Sequence, residues 1–294
     1  MDIDSTAAGM VWFCFSIPLF LTVFFRFNRV WSLRNLDLIL LLCVAVGVVL
    51  NRYQGENHTS ADALLLIATG LLLVRLLSDN YLEKRPRIET NLNPQALLFL
   101  GLSGVALLVV AIVVTPLPAS SQATVNHGKE ALNGKVPLPE NSEGGPANAV
   151  FSAQAVQFSH QVAGEPEEDA ADQIAAGILA GLGHLAVLGA LVFIGIRHFQ
   201  NWHLAMAMAA MYVLLPSTVL DPNSVNQVLA AAWILWALAL HRVPWAAGIL
   251  MGLACGSLLY PALLLPVWLA FYGRKGALRF GVSSSPFETL LDIR

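Results

Sequence analysis

Long apolar runs, separated by short clusters of charge and proline, set the pattern of this chain. The runs occupy 8–25, 36–51, 62–78, 96–115, 173–196, 203–220, 226–240 and 245–272. Crossing a hydrocarbon core takes about 20 apolar residues in a helix. Lipid offers no partners to backbone N–H and C=O groups, so a helix, which pairs them internally, is the expected form. The runs lack strict alternation, which argues against a β-barrel. The pattern predicts an all-α polytopic transmembrane bundle of about eight helices, within a range of about seven to nine.

One segment departs from this pattern. Residues 116–172 begin PLPASSQ, pass through GKVPLPENSEGGPANA and end GEPEEDAAD, with six prolines, eight acids and only Lys129 and Lys135 as bases. So few large apolar residues predict an irregular, partly disordered loop. The expected organisation is therefore a four-helix membrane block over 1–115, an acidic loop over 116–172, a second helical block over 173–280 and a polar tail over 281–294.

Charge adds an orientation. Arg26, Arg29 and Arg34 follow the first run, and Lys84, Arg85 and Arg87 follow the third, with Arg75 just before them. Basic residues collect on the cytoplasmic side, so the N-terminus and the 116–172 loop are expected outside, in a cell (plasma or inner) membrane. Arg75 can snorkel its charge to the interface, so it does not veto the third run as a span. Trp12, Trp31, Trp202, Trp245 and Trp268 lie near run ends, where an interfacial belt would place them. Arg274, Lys275 and Arg279 would break the rule after eight crossings. Pro261 and Pro266 offer a resolution, because a proline inside a helix removes a donor and clashes with the preceding turn. A break near Ser257–Pro261 would split 245–272 into two short helices and return the tail to the cytoplasm. One tilted, kinked helix is the alternative. The start MDIDSTAAG has no basic residue, so the first run reads as a retained anchor rather than a signal peptide.

The composition supports lipid as the main solvent. The chain is 56% hydrophobic and 12% charged, against about 25% charged in soluble proteins. A net charge of −3 without a basic face argues against nucleic acid as a partner. Cys14, Cys43 and Cys255 sit singly in apolar runs and form no metal or disulfide pattern. No P-loop, HExxH or GxSxG motif is present. Asn57-His58-Thr59 fits a glycosylation acceptor.

Several residues carry candidate chemistry. Gly248, Gly252 and Gly256 repeat every four residues, a smooth strip for a neighbouring helix, either internal or in a second copy. Gly177 and Gly181 form a second such pair. His184 is the ionisable residue deep in a run, expected to bond a neighbouring helix; His198 and His203 flank Trp202 at a junction and lack a nearby third metal ligand. Glu165, Glu167, Glu168, Asp169 and Asp172 border the fifth run. Acids there favour a helix N-terminus, or supply a general base or a ligand for a divalent metal, which nothing in the sequence requires.

The stretch 203–280 resembles the middle helices of polytopic GT-C type glycosyltransferases, particularly polyprenol-phosphate-mannose-dependent ones. The likeness rests on Pro216 followed by Asn226-Gln227, on the G-x-x-x-G-L-A run at Gly248–Ala254, and on Tyr260-Pro261 with its apolar run to Pro266 and the exit RKGALRF. It covers about a quarter of the chain. The resemblance implies a polyprenyl-phosphate sugar as donor, further helices beyond Phe280, and 116–172 as the catalytic-side loop. Glu168 and Asp169 would then be the catalytic carboxylates that activate an acceptor hydroxyl. A non-catalytic membrane scaffold or assembly protein, with a mobile loop, is the competing expectation. A channel or transporter is disfavoured by the scarcity of intramembrane charge.

Overall fold

A computed structural model describes residues 3–53, 59–78, 89–134, 144–163 and 168–284. Asn57 and His58 of the acceptor pattern, the basic residues Lys84, Arg85, Arg87 and Lys135, the acids Glu165 and Glu167 and the tail from 285 lie outside the described residues, as do the side chains of Glu168, Asp169, Arg274 and Lys275. The described residues are helical, without a strand.

The helices are α1 (Ile3–Phe24), α2 (Leu33–Tyr53), α3 (Thr59–Leu77), α4 (Pro94–Val114), α5 (Ala119–Leu132), α6 (Pro146–Ala163), α7 (Glu168–Arg197), α8 (Trp202–Leu214), α9 (Pro216–Leu220), α10 (Val225–Ala239), α11 (Pro244–Ser257) and α12 (Leu265–Ser284). Spans over 33–51, 59–77, 94–114 and 170–197 are long and apolar enough to cross a membrane. The apolar helices over 11–24, 202–214, 225–239, 244–257 and 260–273 are shorter.

Local chemistry explains the boundaries. The Asn93 side chain accepts the Ala96 N–H at 2.8 Å, capping α4 ahead of Pro94. The Asn201 side chain does the same for α8 through Leu204 N–H at 3.1 Å. Pro216 divides the run 203–220, with Leu215 extended between α8 and α9. The run 245–272 is also divided. α11 stops at Ser257, Leu258 is extended, and Tyr260–Leu264 forms a 3-10 turn before α12. A second break, which the sequence pattern did not signal, falls at Gly273, whose φ of 62° suits a residue without a Cβ. Beyond it the chain folds back, so that Phe280 stacks on Trp268 with ring centroids 5.7 Å apart.

The chain divides into two compact units. Unit 1 comprises Met1–Ala111 and Gly195–Asp221; unit 2 comprises Ile112–Ile194 and Pro222–Arg294. Unit 1 has a core of Phe20, Val23 and Phe24 from α1, Leu38 from α2, Leu97 from α4, and Leu204, Met206, Ala207 and Leu214 from α8. The Arg75 guanidinium meets the Asp37 carboxylate at 3.1 Å, joining α3 to α2. A charge on an apolar helix is far less costly when paired, and Asp37 on the adjoining helix offers the partner. Trp31, Trp202 and Trp245 are exposed, whereas Trp12 and Trp268 pack against apolar clusters.

Unit 2 holds the main departure from expectation. Within 116–172 the described residues are mostly helical rather than irregular, because α5 and α6 lie there and pack as a hairpin. Val125 of α5 and Ala155 and Val156 of α6 share a core with Ala175, Ala176, Leu179 and Ala180 of α7 and with Val225 and Leu229 of α10. The alanines let the helices approach closely, so packing here relies on small side chains rather than bulky ones.

Candidate functional site

A buried polar cluster gathers where the α5–α6 hairpin meets α10 and α11. On α5, Ser121, Thr124, Val125 and Gly128 are buried, spaced to share one helix face. On α6, Asn148, Ser152 and Ser159 are buried at similar helical spacing. Asn226, in the first turn of α10, is the hub. Its Oδ1 accepts from Thr124 Oγ1 at 2.8 Å and from Asn148 Nδ2 at 2.8 Å. Asn148 Nδ2 also reaches the Ser257 carbonyl at 3.3 Å, at the end of α11. The Gly145 N–H donates to the same carbonyl at 2.9 Å.

Two further contacts tighten the arrangement. Ser121 Oγ donates to the Asn223 carbonyl at 2.6 Å and accepts the Val225 N–H at 3.2 Å, supplying a partner at the start of α10. Asn223 Nδ2 donates to the carbonyls of Ile112 and Thr115 at 3.1 and 2.8 Å, satisfying the end of α4. Close approach depends on glycine. A Cβ on Gly145 would run into the Gly256 carbonyl oxygen, and one on Gly128 into the Ser152 hydroxyl.

Three amide atoms in this cluster are buried without a hydrogen-bond partner among the described residues: Asn148 Oδ1, Asn223 Oδ1 and Asn226 Nδ2. Buried polar groups are seldom left so. Chemically the cluster presents neutral donors and acceptors and no nucleophile activated by a base.

The acids predicted as site residues are placed differently from one another. Glu168 and Asp169 open α7. Asp172, one turn on, is buried, and its Oδ1 lies 2.7 Å from Lys129 Nζ. That pair ties α5 to α7. Among the described residues no group of three or more His, Cys, Asp or Glu is placed to hold a metal ion. His184 is buried with Nε2 2.9 Å from the Pro222 carbonyl, in the turn before α10. Gly248, Gly252 and Gly256 are buried on α11, and a Cβ on Gly248 would meet the Phe280 carbonyl. Gly177 has Ile112 at ordinary contact distance, and Gly181 has nothing within 4 Å. Among the described residues Cys14, Cys43 and Cys255 form no disulfide.

Sequence reasoning singled out Asn226 only as part of an N-Q pair and missed Ser121, Thr124, Asn148, Ser152 and Asn223. The available signal was the helical spacing of small polar residues in a segment that looked like a loop.

The chain is thus an all-helical protein with helices apolar enough to cross a membrane. No protein-family model, curated protein or solved structure matches it.

Proposed function

We propose that the chain acts in a membrane as a multi-pass helical scaffold, with the α5–α6 hairpin built into unit 2 as a fixed clamp. One observation carries this reading: the polar side chains around Asn226 bond to neighbouring helices and their ends, from Thr124 to Ser257. A scaffold read from sequence expects a mobile loop at 116–172; packed helices replace that expectation with a rigid one. Hydrogen exchange in lipid nanodiscs tests it. Amides of 119–132 and 146–163 should exchange as slowly as those of α7 and α10, and rapid exchange through both would overturn the clamp. The glycine strip on α11 is read as internal packing. Cysteine accessibility at positions on the hairpin tests its proposed outer-side placement.

A second reading is favoured by the three unpartnered amide atoms, which suit hydroxyl groups. It is hexosyl transfer from a polyprenyl-phosphate sugar, as the resemblance of 203–280 to GT-C type enzymes implies, with Glu168 or Asp169 activating the acceptor. Transfer by the purified chain that is lost in Glu168→Ala/Asp169→Ala would replace the scaffold reading. Transfer that survives the double substitution would remove these carboxylates from it.

A further inference from the structure

The turn from α1 to α2 carries a cavity of about 350 Å³ in unit 1, lined by Phe25, Arg26, Phe27, Asn28, Arg29 and Asn91. Its walls are fixed by two asparagines. Asn35, fully buried, donates through Nδ2 to the carbonyls of Arg26, Arg29 and Val30 at 3.0–3.1 Å, and its Oδ1 accepts the Arg26 N–H at 2.8 Å. Asn91 Nδ2 donates to the carbonyls of Thr22 and Phe25 at 3.1 and 2.7 Å, closing the end of α1.

The backbone is thereby satisfied from within, while the guanidinium groups of Arg26 and Arg29 have no hydrogen bond or ion pair to a described residue. Arg34 is engaged elsewhere, over the Phe24 ring and on the Glu89 carbonyl. Two arginines lining one cavity suit a phosphate, whose oxygens match the planar forks of guanidinium groups. Large apolar side chains beside them point to the rest of the ligand. Phe27 is 67% exposed and Trp31 fully exposed. Aromatic rings of this kind sit at the headgroup level of a bilayer. The turn also lies at the start of α2, one of the helices of spanning length.

We propose that this cavity binds the headgroup phosphate of an anionic phospholipid, with Arg26 and Arg29 as its ligands. The inference rests on the membrane reading above. The test places the full chain in nanodiscs of phosphatidylcholine containing phosphatidylglycerol and measures retained phosphatidylglycerol by native mass spectrometry. The wild type should retain it selectively. Arg26→Gln/Arg29→Gln should weaken retention by roughly tenfold or more. Arg26→Lys/Arg29→Lys, which keeps the charge but loses the forks, should weaken it at least several-fold. Arg242→Gln, a basic residue of unit 2, should leave it unchanged. Equal retention by the lysine variant and the wild type would show diffuse attraction and overturn the site, as would full retention by the glutamine variant. Displacement by millimolar inorganic phosphate would overturn the lipid as its source. Failure to enter nanodiscs would instead sink the membrane reading, whereas insertion without selective retention sinks this proposal alone.

Discussion

Both units bury asparagines, and they use them differently. In unit 1, Asn35 satisfies every polar atom of its amide on the backbone of the adjoining turn. In unit 2, Asn148, Asn223 and Asn226 bond between helices and helix ends distant in sequence, and each leaves one amide atom without a partner. The first pattern fixes a local turn and can be completed because the partners are neighbours. The second depends on several helices arriving together, so geometry rather than proximity decides which atoms are satisfied. Unit 2 therefore concentrates its specificity, and its unmet bonding capacity, where α5, α6, α10 and α11 converge.

The sharpest way to test that contrast is to break the charge pair at the other side of the hairpin. Lys129→Ala strands the Asp172 carboxylate, which is only 5% exposed. Breaking such a pair from one side costs roughly 3–5 kcal/mol, mainly from the uncompensated charge. Thermal unfolding in detergent should show this loss, and Lys129→Met/Asp172→Leu should recover most of it. An unchanged single variant would mean that Asp172 reaches water and that the hairpin does not seal against α7.

Gly145→Ala comes next. Its new methyl group meets a backbone carbonyl, that of Gly256, which cannot rotate aside as a side-chain tip would. Overpacking of this kind costs about 1–3 kcal/mol, and here the upper half is expected, with faster hydrogen exchange at the start of α6 and the end of α11. In unit 1 the matching variant is Asn35→Ala. It removes one partner from each of three carbonyls and from one N–H, but the Arg26 and Arg29 carbonyls keep backbone donors, and Arg29 and Val30 are exposed, so water replaces part of the loss. A cost of about 2 kcal/mol is expected, confined to the α1–α2 turn in exchange measurements. Spread of the effect into α4 or α8 would show that the asparagine is less local than its bonds.

The helices legible in the sequence were those built from large apolar residues. All eight runs contain helix, because Leu, Val, Ile and Phe at this density leave the backbone few alternatives in an apolar setting. Proline marked the division near Leu258, one of two alternatives for that run, whereas the division at Leu215 falls before Pro216 inside a run read as one. The α5–α6 hairpin was hidden because its packing faces use Ser, Thr, Asn, Ala and Gly. Those residues score as loop formers in composition, and their helical spacing, as in Ser121, Thr124, Val125 and Gly128, shows only when position is weighed above hydropathy. The polar cluster was hidden for a further reason: it joins Thr124 to Asn226, 102 residues away, and no local pattern carries such a pairing. Arg75 illustrates the same limit, since its partner Asp37 is on another helix.

The smallest expected effect is the most informative about the cluster itself. Asn226→Ala removes the acceptor of Thr124 Oγ1 and Asn148 Nδ2. The single Thr124 hydroxyl proton can turn to the Ser120 carbonyl at 2.9 Å, and Asn148 keeps the Ser257 carbonyl, so neither donor is fully stranded. The variant also removes the unpartnered Nδ2, whose burial is a cost in the wild type. Interhelical hydrogen bonds in membranes average about 0.6 kcal/mol each, so two lost bonds and one relieved atom leave a net near 1 kcal/mol. Asn226→Leu, which also fills the space, should be close to neutral in thermal unfolding. A loss of about 3 kcal/mol or more in either variant would mean that Asn226 Nδ2 has a bound partner in the folded protein. That outcome would turn the contrast between the units from stapling against capping into binding against capping.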